Sequence, residues 1–277
     1  VDDVVLAVGH SARDTFYELG RENVAMERKQ FAMGFRIEHK REFIDEAQYG
    51  KKFAGFLPAA DYRLASHKAQ RGVFTFCMCP GGVVIPSASE IGGVVTNGMS
   101  LYARDEVNSN SAVLCEIYPS DFYEGVLGGV ELQREIERKA FLLGGSDYSA
   151  PTQKLEDFYA IRRTERFGSV RPTYERNMPS DLNGLFPPVV TESIKTGISD
   201  MNNKLKGFSC GDAVLTGVET RSSSPVRILR GDDMVSPTVG NLYPCGEGCG
   251  YAGGITSAAV DGIKVAAAIA EKYSKKS

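Results

Sequence analysis

A glycine-rich segment near the end of the sequence, residues 246–256, restricts the fold more than any other feature. It reads GEGCGYAGGIT and connects a short predicted strand, 241–245, to a long alanine-rich predicted helix, 254–273. Glycines at such a turn let a ligand approach the backbone closely, and a helix start offers free N–H groups and a partial positive charge. The segment therefore indicates either an anion or nucleotide site, with Glu247 accepting hydrogen bonds from sugar hydroxyls, or a turn that only lets helix and sheet pack closely.

The start of the sequence predicts a second element of the same kind. Residues 4–8 are all apolar and read as a buried strand, residues 9–12 as a tight turn, and Asp14 as the start of a short helix. Strands that are apolar throughout usually lie inside parallel sheets covered by helices, so this strand needs neighbours. We expect later segments to return and pair with it, or the sequence to begin within a domain.

The middle of the chain predicts a mainly antiparallel sheet. Strands are predicted at 31–39, 72–79 and 111–118, with a turn at 80–82 and a hairpin turn at Asn97-Gly98. No helix long enough for repeated crossover connections separates the apolar runs between residues 72 and 118. Helices are predicted elsewhere, at 40–48, 130–143 and 188–206, and strands return at 213–218 and 225–229.

This order of elements predicts two domains. Residues 1–20 and 206–277 form one discontinuous domain, because the first strand needs the late strands as neighbours. Residues 21–205 form a domain inserted between them.

Composition and charge exclude several classes of protein. A formal net charge of −3 gives no bias toward nucleic acid or anionic membranes, and no apolar stretch approaches the roughly 20 residues of a membrane span. Residues 162–176 carry five arginines and two aromatic residues, but the negative net charge and the lack of an RNA-binding motif argue against RNA. Six cysteines in a chain of 277 residues do not indicate a fold held together by disulfides. We recognise no secretory signal and expect a cytoplasmic protein.

Several ordered motifs together resemble one known family. The chain is similar to the uncharacterised FAD-dependent dehydrogenases, a family of bacterial flavoproteins related to the HI0933-like flavoproteins. The resemblance runs along nearly the whole chain and is carried by residues 5–15, 57–62, 75–82, 97–100, 104–105, 216–221, 223–227 and 246–256.

The resemblance implies an α/β (α+β) fold, with part of a doubly wound FAD-binding domain and an inserted, mainly antiparallel substrate domain. It implies the C-terminal portion of a FAD-dependent oxidoreductase, a dehydrogenase acting on an unknown small molecule. The residues that it places at the cofactor are Gly9, His10, Ser11, Gly246, Glu247, Gly248, Gly253, Gly254 and Ile255. His10 is either a neighbour of the flavin or a capped turn residue.

The sequence departs from the family in one respect. Members carry a G-x-G-x-x-G turn in a more N-terminal region, and residues 1–277 contain none. We therefore expect a C-terminal fragment that binds FAD weakly or not at all, while the intact protein binds it tightly. Cys249 also replaces an expected small residue such as alanine, which is a mild change.

Cys79, Arg104 and Arg221 are candidates for a substrate pocket. Arg104 and Arg221 either bind a carboxylate substrate or form ion pairs that fix loops. Cys77 and Cys79 are either structural or pocket-lining thiols, or include a redox cysteine beside the flavin. We expect both thiols to be reduced and to bind no metal, because zinc would need two more ligands and the chain has three histidines.

The sequence presents no nucleophile with a neighbouring base, which disfavours a hydrolase. In flavoproteins the cofactor supplies the chemistry, so an absent catalytic motif is compatible with an oxidoreductase. A second class stays open, namely a non-catalytic substrate-binding or interaction module without a cofactor.

Overall fold

The computed structural model describes residues 2–274. The strands are β1 (Val4–Leu6), β2 (Met26–Arg28), β3 (Phe31–Lys40), β4 (Ala65–Ser66), β5 (Val73–Cys79), β6 (Gly82–Pro86), β7 (Thr96–Ser100), β8 (Asn108–Ile117), β9 (Ala150–Lys154), β10 (Asn177–Pro179), β11 (Val214–Glu219), β12 (Val226–Ile228) and β13 (Leu242–Pro244). The α-helices are α1 (Arg13–Arg21), α2 (Arg41–Tyr49), α3 (Gly128–Leu143), α4 (Leu155–Tyr159), α5 (Pro188–Met201) and α6 (Ile255–Ser274), and Pro119–Asp121 is a 3₁₀ helix.

The main sheet has seven strands in the order β10-β9-β11-β3-β8-β5-β4. The pairs β9–β11, β11–β3, β8–β5 and β5–β4 are antiparallel, and the edge pair β9–β10 is parallel. The prediction of antiparallel pairing between residues 72 and 118 is confirmed, since β5 pairs with β8 and β6 with β7 in that way. The architecture is mixed α and β, consistent with an α+β protein.

Helix α5 covers part of this sheet through an apolar stripe. Val190, Ile194 and Ile198 recur at every fourth position and are buried, as the sequence predicts. The helix approaches β5 closely at Gly197, where an added Cβ would lie 2.6 Å from the Cβ of Val73. It ends at Met201 rather than at residue 206, because the side chain of Asn202 accepts hydrogen bonds from the N–H groups of Gly207 and Ser209 and so turns the chain.

The predicted hairpin turn at Asn97-Gly98 is wrong. Both residues lie inside β7, where they pair with Ile85 and Val84 of β6. Local sequence favours a turn for this dipeptide, but a long-range contact decides the outcome. An added Cβ at Gly98 would lie 2.5–2.8 Å from the side chains of Asn110, Arg36 and Cys79, so glycine is needed there for close packing.

Strand β1 pairs in parallel with β13, with Val4 opposite Leu242 and Leu6 opposite Pro244. The expectation that a late segment returns to this strand is confirmed. The predicted burial is wrong, because Val4 is 40% exposed and Val5 is 48% exposed. β13 is the one strand paired with β1 among the described residues, and it is buried while Val4 and Val5 of β1 are not.

Contacts between Cα atoms divide the chain into two compact units. The first unit comprises the segment up to Phe31, Ile117–Gln133 and the segment from Arg221 onward, and the second comprises Ala32–Glu116 and Arg134–Thr220. The domains predicted from the sequence have their boundaries at residues 20/21 and 205/206, which differ from those of the two units. This division into domains stays a prediction.

Each unit has its own apolar core. In the first unit α1, α3, β12 and β13 share a core formed by Phe16, Val24, Val130, Val226, Ile228 and Leu242. A smaller group, Tyr243, Cys245 and Val265, fixes α6 beside β13. In the second unit β3 is buried from Ala32 to His39, and Phe35 packs edge-on against the rings of Phe158 and Phe186. No helix among residues 2–274 is long and apolar enough to cross a membrane.

Candidate functional site

The glycine-rich turn after β13 lies against the turn after β1. The N–H of Cys245 donates to the carbonyl of Leu6 (2.9 Å), which continues the pairing of the two strands. An added Cβ at Gly248 would lie 1.9 Å from the carbonyl oxygen of Val8. The structure therefore brings the two predicted cofactor-binding segments together, and close backbone packing alone explains the glycine at position 248.

Four other glycines of these turns face open space. An added Cβ at Gly9, Gly246, Gly253 or Gly254 would meet no atom within 4 Å. Ile255, the first residue of α6, is 93% exposed. Because the first N–H groups of a helix lack intrahelical acceptors and carry partial positive charge, this end of α6 offers donors to an anion. A ligand can thus approach the backbone on both sides of the paired turns.

A partly exposed pair of side chains lies between the turns. His10 Nε2 is 3.1 Å from an Oε1 of Glu247, and the contact is an ion pair when the imidazole is protonated. The other ring nitrogen, Nδ1, is buried and has no hydrogen-bond partner within residues 2–274. Of the residues predicted at the cofactor, His10 and Glu247 are the two whose side chains meet.

Asp261 of α6 fixes the glycine-rich turn through its side chain. It accepts a hydrogen bond from the N–H of Gly246 (2.8 Å) and a bidentate pair from Arg230, whose guanidinium lies 3.7 Å from the ring centroid of Tyr251. Burial acts to raise the pKa of Asp261, but the hydrogen bonds from Arg230 and Gly246 leave that pKa below its usual value. The sequence reasoning missed both charged residues. An aspartate six residues into an alanine-rich helix was the available signal.

The three predicted substrate residues lie in different surroundings. Arg221 belongs to the first unit, where its Nη1 donates to Ser11 Oγ (3.1 Å) beside the turn. Arg104 belongs to the second unit, in an exposed loop with a φ of +52°, and its carbonyl is packed against Gly81. Cys79 is buried in the second unit. Cys79 and Arg104 thus share a unit, and Arg221 belongs to the other.

The side chain of Arg36 forms a buried polar cluster in the second unit that the sequence reasoning missed. Arg36 is fully buried in β3 and donates to Glu219 of β11 through Nε and Nη2. Its other hydrogen bonds go to the carbonyl of Cys77 (2.7 Å), Asn97 Oδ1 (2.7 Å) and Asn110 Oδ1 (3.2 Å). Burial raises the pKa of Glu219 to about 7, and the charge of Arg36 acts against that rise.

Further polar side chains lie on the strands that neighbour Arg36, at positions paired with one another across the sheet. Thr216 is opposite Arg36, Thr152 is opposite Thr216, and Cys79 is opposite Asn110. The hydroxyls of both threonines and the Asn110 amide nitrogen are buried and have no hydrogen-bond partner among the residues that the structure describes. Buried polar groups of this kind are usually satisfied by ordered water or a polar ligand. No group of three or more His, Cys, Asp or Glu suited to a metal ion occurs among residues 2–274.

Residues 30–222 match the family described as FAD-dependent protein, C-terminal domain-like. The chain belongs to this family. The match covers more than half of the chain, and it begins just before β3 and ends just after β11. Association with FAD is therefore a property of the family to which the chain belongs.

The chain is also similar to a protein of Clostridium beijerinckii that is described as an uncharacterized protein. The two are 50% identical over 275 residues, which cover 98% of this chain and 52% of that protein. The chain thus spans about half the length of this relative.

Proposed function

We propose that the chain is the C-terminal portion of a FAD-dependent oxidoreductase, a dehydrogenase that acts on a small molecule. Membership of a FAD-dependent family supports the cofactor. The observation that carries the proposal is the pair of open glycine turns, Gly9 and Gly253–Gly254, beside the exposed start of α6. A relation to the HI0933-like flavoproteins and a doubly wound FAD domain belong to the same proposal.

The residues at the two turns fit such a cofactor. Backbone N–H groups at Gly253, Gly254 and Ile255 would hold the pyrophosphate, since helix starts favour phosphate groups. Glu247 would accept hydrogen bonds from ribityl hydroxyls, with Gly246 and Gly248 shaping the turn around it. Gly9, His10 and Ser11 would lie near the flavin, and the buried Nδ1 of His10 is free to hydrogen-bond to a ligand. FAD when bound supplies hydride or electron transfer, and the protein binds and orients it.

Titration with FAD, followed by flavin fluorescence, tests the proposal. We expect residues 1–277 to bind weakly and a longer natural form of the protein to bind tightly, because the adenosine half of FAD uses a G-x-G-x-x-G turn. Losing those contacts removes on the order of 5 kcal/mol, or several thousandfold in affinity. Binding below micromolar concentration by residues 1–277 alone would contradict this division of the site.

A matched pair of variants locates the cofactor. In the longer protein Glu247→Gln should weaken FAD binding about tenfold or more, because a charge-assisted hydrogen bond contributes about 1.5–3 kcal/mol. Glu18→Gln changes an exposed acid of α1 in the same unit and should leave the affinity unchanged. Equal FAD affinities for the two variants would show that Glu247 does not contact the cofactor.

The second candidate function is a non-catalytic substrate-binding or interaction module without a cofactor. Gly246 and Gly248 favour it, because contacts within the protein already account for both residues. Asp261 accepts the N–H of Gly246, and Gly248 packs against the backbone of Val8. The absorbance spectrum of the purified longer protein separates the two functions, since a flavoprotein absorbs in the visible. A cytoplasmic location, a substrate pocket at Cys79, Arg104 and Arg221, and the absence of nucleic-acid, membrane and metal partners stay predictions.

A further inference from the structure

A bulge in β5 places two cysteines in unlike surroundings. Phe76 is opposite Ala112 and Cys79 is opposite Asn110, so β5 has one more residue than β8 over this stretch. Cys77 lies in the bulge with a φ of +44°, in the left-handed region that non-glycine residues rarely adopt, and is exposed. Cys79 is buried, and both residues are thiols. In a regular strand the two side chains would point the same way, and the bulge removes that constraint.

Cys79 contacts Cys77, and both residues contact Arg36. The Cys79 thiol donates to the backbone carbonyl of Cys77 (3.4 Å), and the interaction with Cys77 together with burial raises the pKa of Cys79. Cys79 therefore keeps its proton. Arg36 Nη1 lies 4.0 Å from Cys79 Sγ and donates to the Cys77 carbonyl, so one fixed cation contacts both residues. Such a cation lowers the pKa of a nearby thiol.

We propose that Cys77 and Cys79 form a redox-active dithiol that reduces small disulfides and becomes an intramolecular disulfide. Cys77 is the attacking thiol because it is exposed, and Cys79 is the resolving thiol because it is buried beside Arg36. This inference uses residues of the second unit alone, and it does not depend on the proposed FAD site.

The exchange balances in two steps. The thiolate of Cys77 attacks one sulfur of the substrate disulfide R–S–S–R, forms a mixed disulfide with it and releases one thiolate, which takes up the proton that Cys77 has lost. Cys79 then attacks the Cys77 sulfur and releases the second thiolate, which takes up the Cys79 proton. Two protein thiols are oxidised to one disulfide, and one substrate disulfide is reduced to two thiols.

The order of the steps follows from exposure. A disulfide in solution reaches the exposed Cys77 first, and the buried Cys79 then attacks the mixed disulfide that Cys77 carries.

Glutathione disulfide tests the proposal on the full chain, with peptides mapped by mass spectrometry. Cleavage after Arg71 and Arg104 releases a peptide that contains Cys77 and Cys79 and no other cysteine. We expect this peptide to become lighter by two hydrogen atoms in the wild type. Cys79→Ser should retain one glutathione on Cys77, and Cys77→Ser should take up none at Cys79. Cys210→Ser removes a half-buried thiol of the same unit and should behave like the wild type.

Two outcomes would overturn the proposal. One is a wild-type peptide that keeps both thiols at a glutathione disulfide concentration that modifies Cys210. The other is a Cys79→Ser protein that carries no more glutathione on Cys77 than on Cys210.

Phenylarsine oxide provides a second measurement that needs no variant, because one arsenic atom binds two neighbouring thiols. We expect one equivalent to bind to the wild type, to resist excess 2-mercaptoethanol and to be released by dithiothreitol. Release by the monothiol would show that the two sulfurs do not act as a pair and would also overturn the proposal.

Discussion

The turns around Glu247 and the cluster around Arg36 each contain a basic side chain that contacts an acidic one. The two regions differ in what surrounds that pair. His10 and Glu247 are partly exposed, and the neighbouring glycines leave the backbone open. Arg36 and Glu219 are buried, and a backbone carbonyl of β5 and side chains from β7 and β8 accept the other hydrogen bonds of Arg36. The first region is suited to a ligand that binds backbone N–H groups. The second holds a fixed charge inside the protein, where it acts on neighbouring groups.

Replacing Arg36 with methionine should have the largest effect on stability. The change leaves the Glu219 carboxylate buried without its partner, which typically costs about 3–5 kcal/mol. Urea unfolding followed by circular dichroism measures it, since the chain has no tryptophan. Arg162→Met removes an exposed partner of Asp157 and should cost far less. Equal losses for the two variants would contradict the buried pair, and adding Glu219→Leu to Arg36→Met should restore part of the stability.

An alanine at Gly98 sharpens the comparison between closed and open glycines. The new Cβ would lie within 2.8 Å of Arg36, Asn110 and Cys79 side-chain atoms, and overpacking of this kind costs about 1–3 kcal/mol. The matched change, Gly254→Ala, meets no atom within 4 Å and should alter stability by less than about 0.5 kcal/mol. The same urea titration decides, and a Gly254→Ala loss as large as that of Gly98→Ala would show that the turn is closed.

Acid should remove the stability that neutral His39 contributes to β3. Burial lowers the pKa of His39 to about 4, and the hydrogen bond to the Phe208 carbonyl only partly opposes that shift. The unfolded chain takes up a proton near pH 6.5 and the folded chain does not, so this contribution is full above pH 6.5 and falls toward pH 4. Between pH 6.5 and 5 the contribution falls by about 2 kcal/mol, while the raised pKa of Glu219 acts in the opposite direction.

Urea unfolding of the wild type and of His39→Gln at both pH values measures this contribution. On going from pH 6.5 to 5, His39→Gln should lose less stability than the wild type, whereas His67→Gln, at an exposed position, should follow the wild type. An unchanged pH dependence in His39→Gln would assign the effect to another group.

Local pattern was enough to predict much of the fold. The apolar stripe of α5, the long strands β3 and β8, and the return of β13 to β1 follow from periodicity and from the need of a strand for a neighbour. The facing glycine turns were predicted as well, because glycine marks them directly in the sequence. Whether these turns hold FAD stays a prediction.

What the sequence did not predict depends on residues far apart in the chain. Arg36 and Glu219 are separated by 183 positions, and neither has a local signature. Asn97-Gly98 was assigned to a turn because dipeptide preference outweighed a contact that only the folded sheet creates. Val4 and Val5 were assigned to a core because an apolar run does not reveal how many neighbours it has.

The first unit is assembled from both ends of the chain, because β1 pairs with β13. Ribosomes deliver a chain from its N-terminus at about 5–20 residues per second, so β1 emerges on the order of ten seconds or more before β13. The second unit has all its residues once Thr220 has emerged. The pairing of β1 with β13, by contrast, can form only after the second unit has been synthesised, so the first unit completes its fold last.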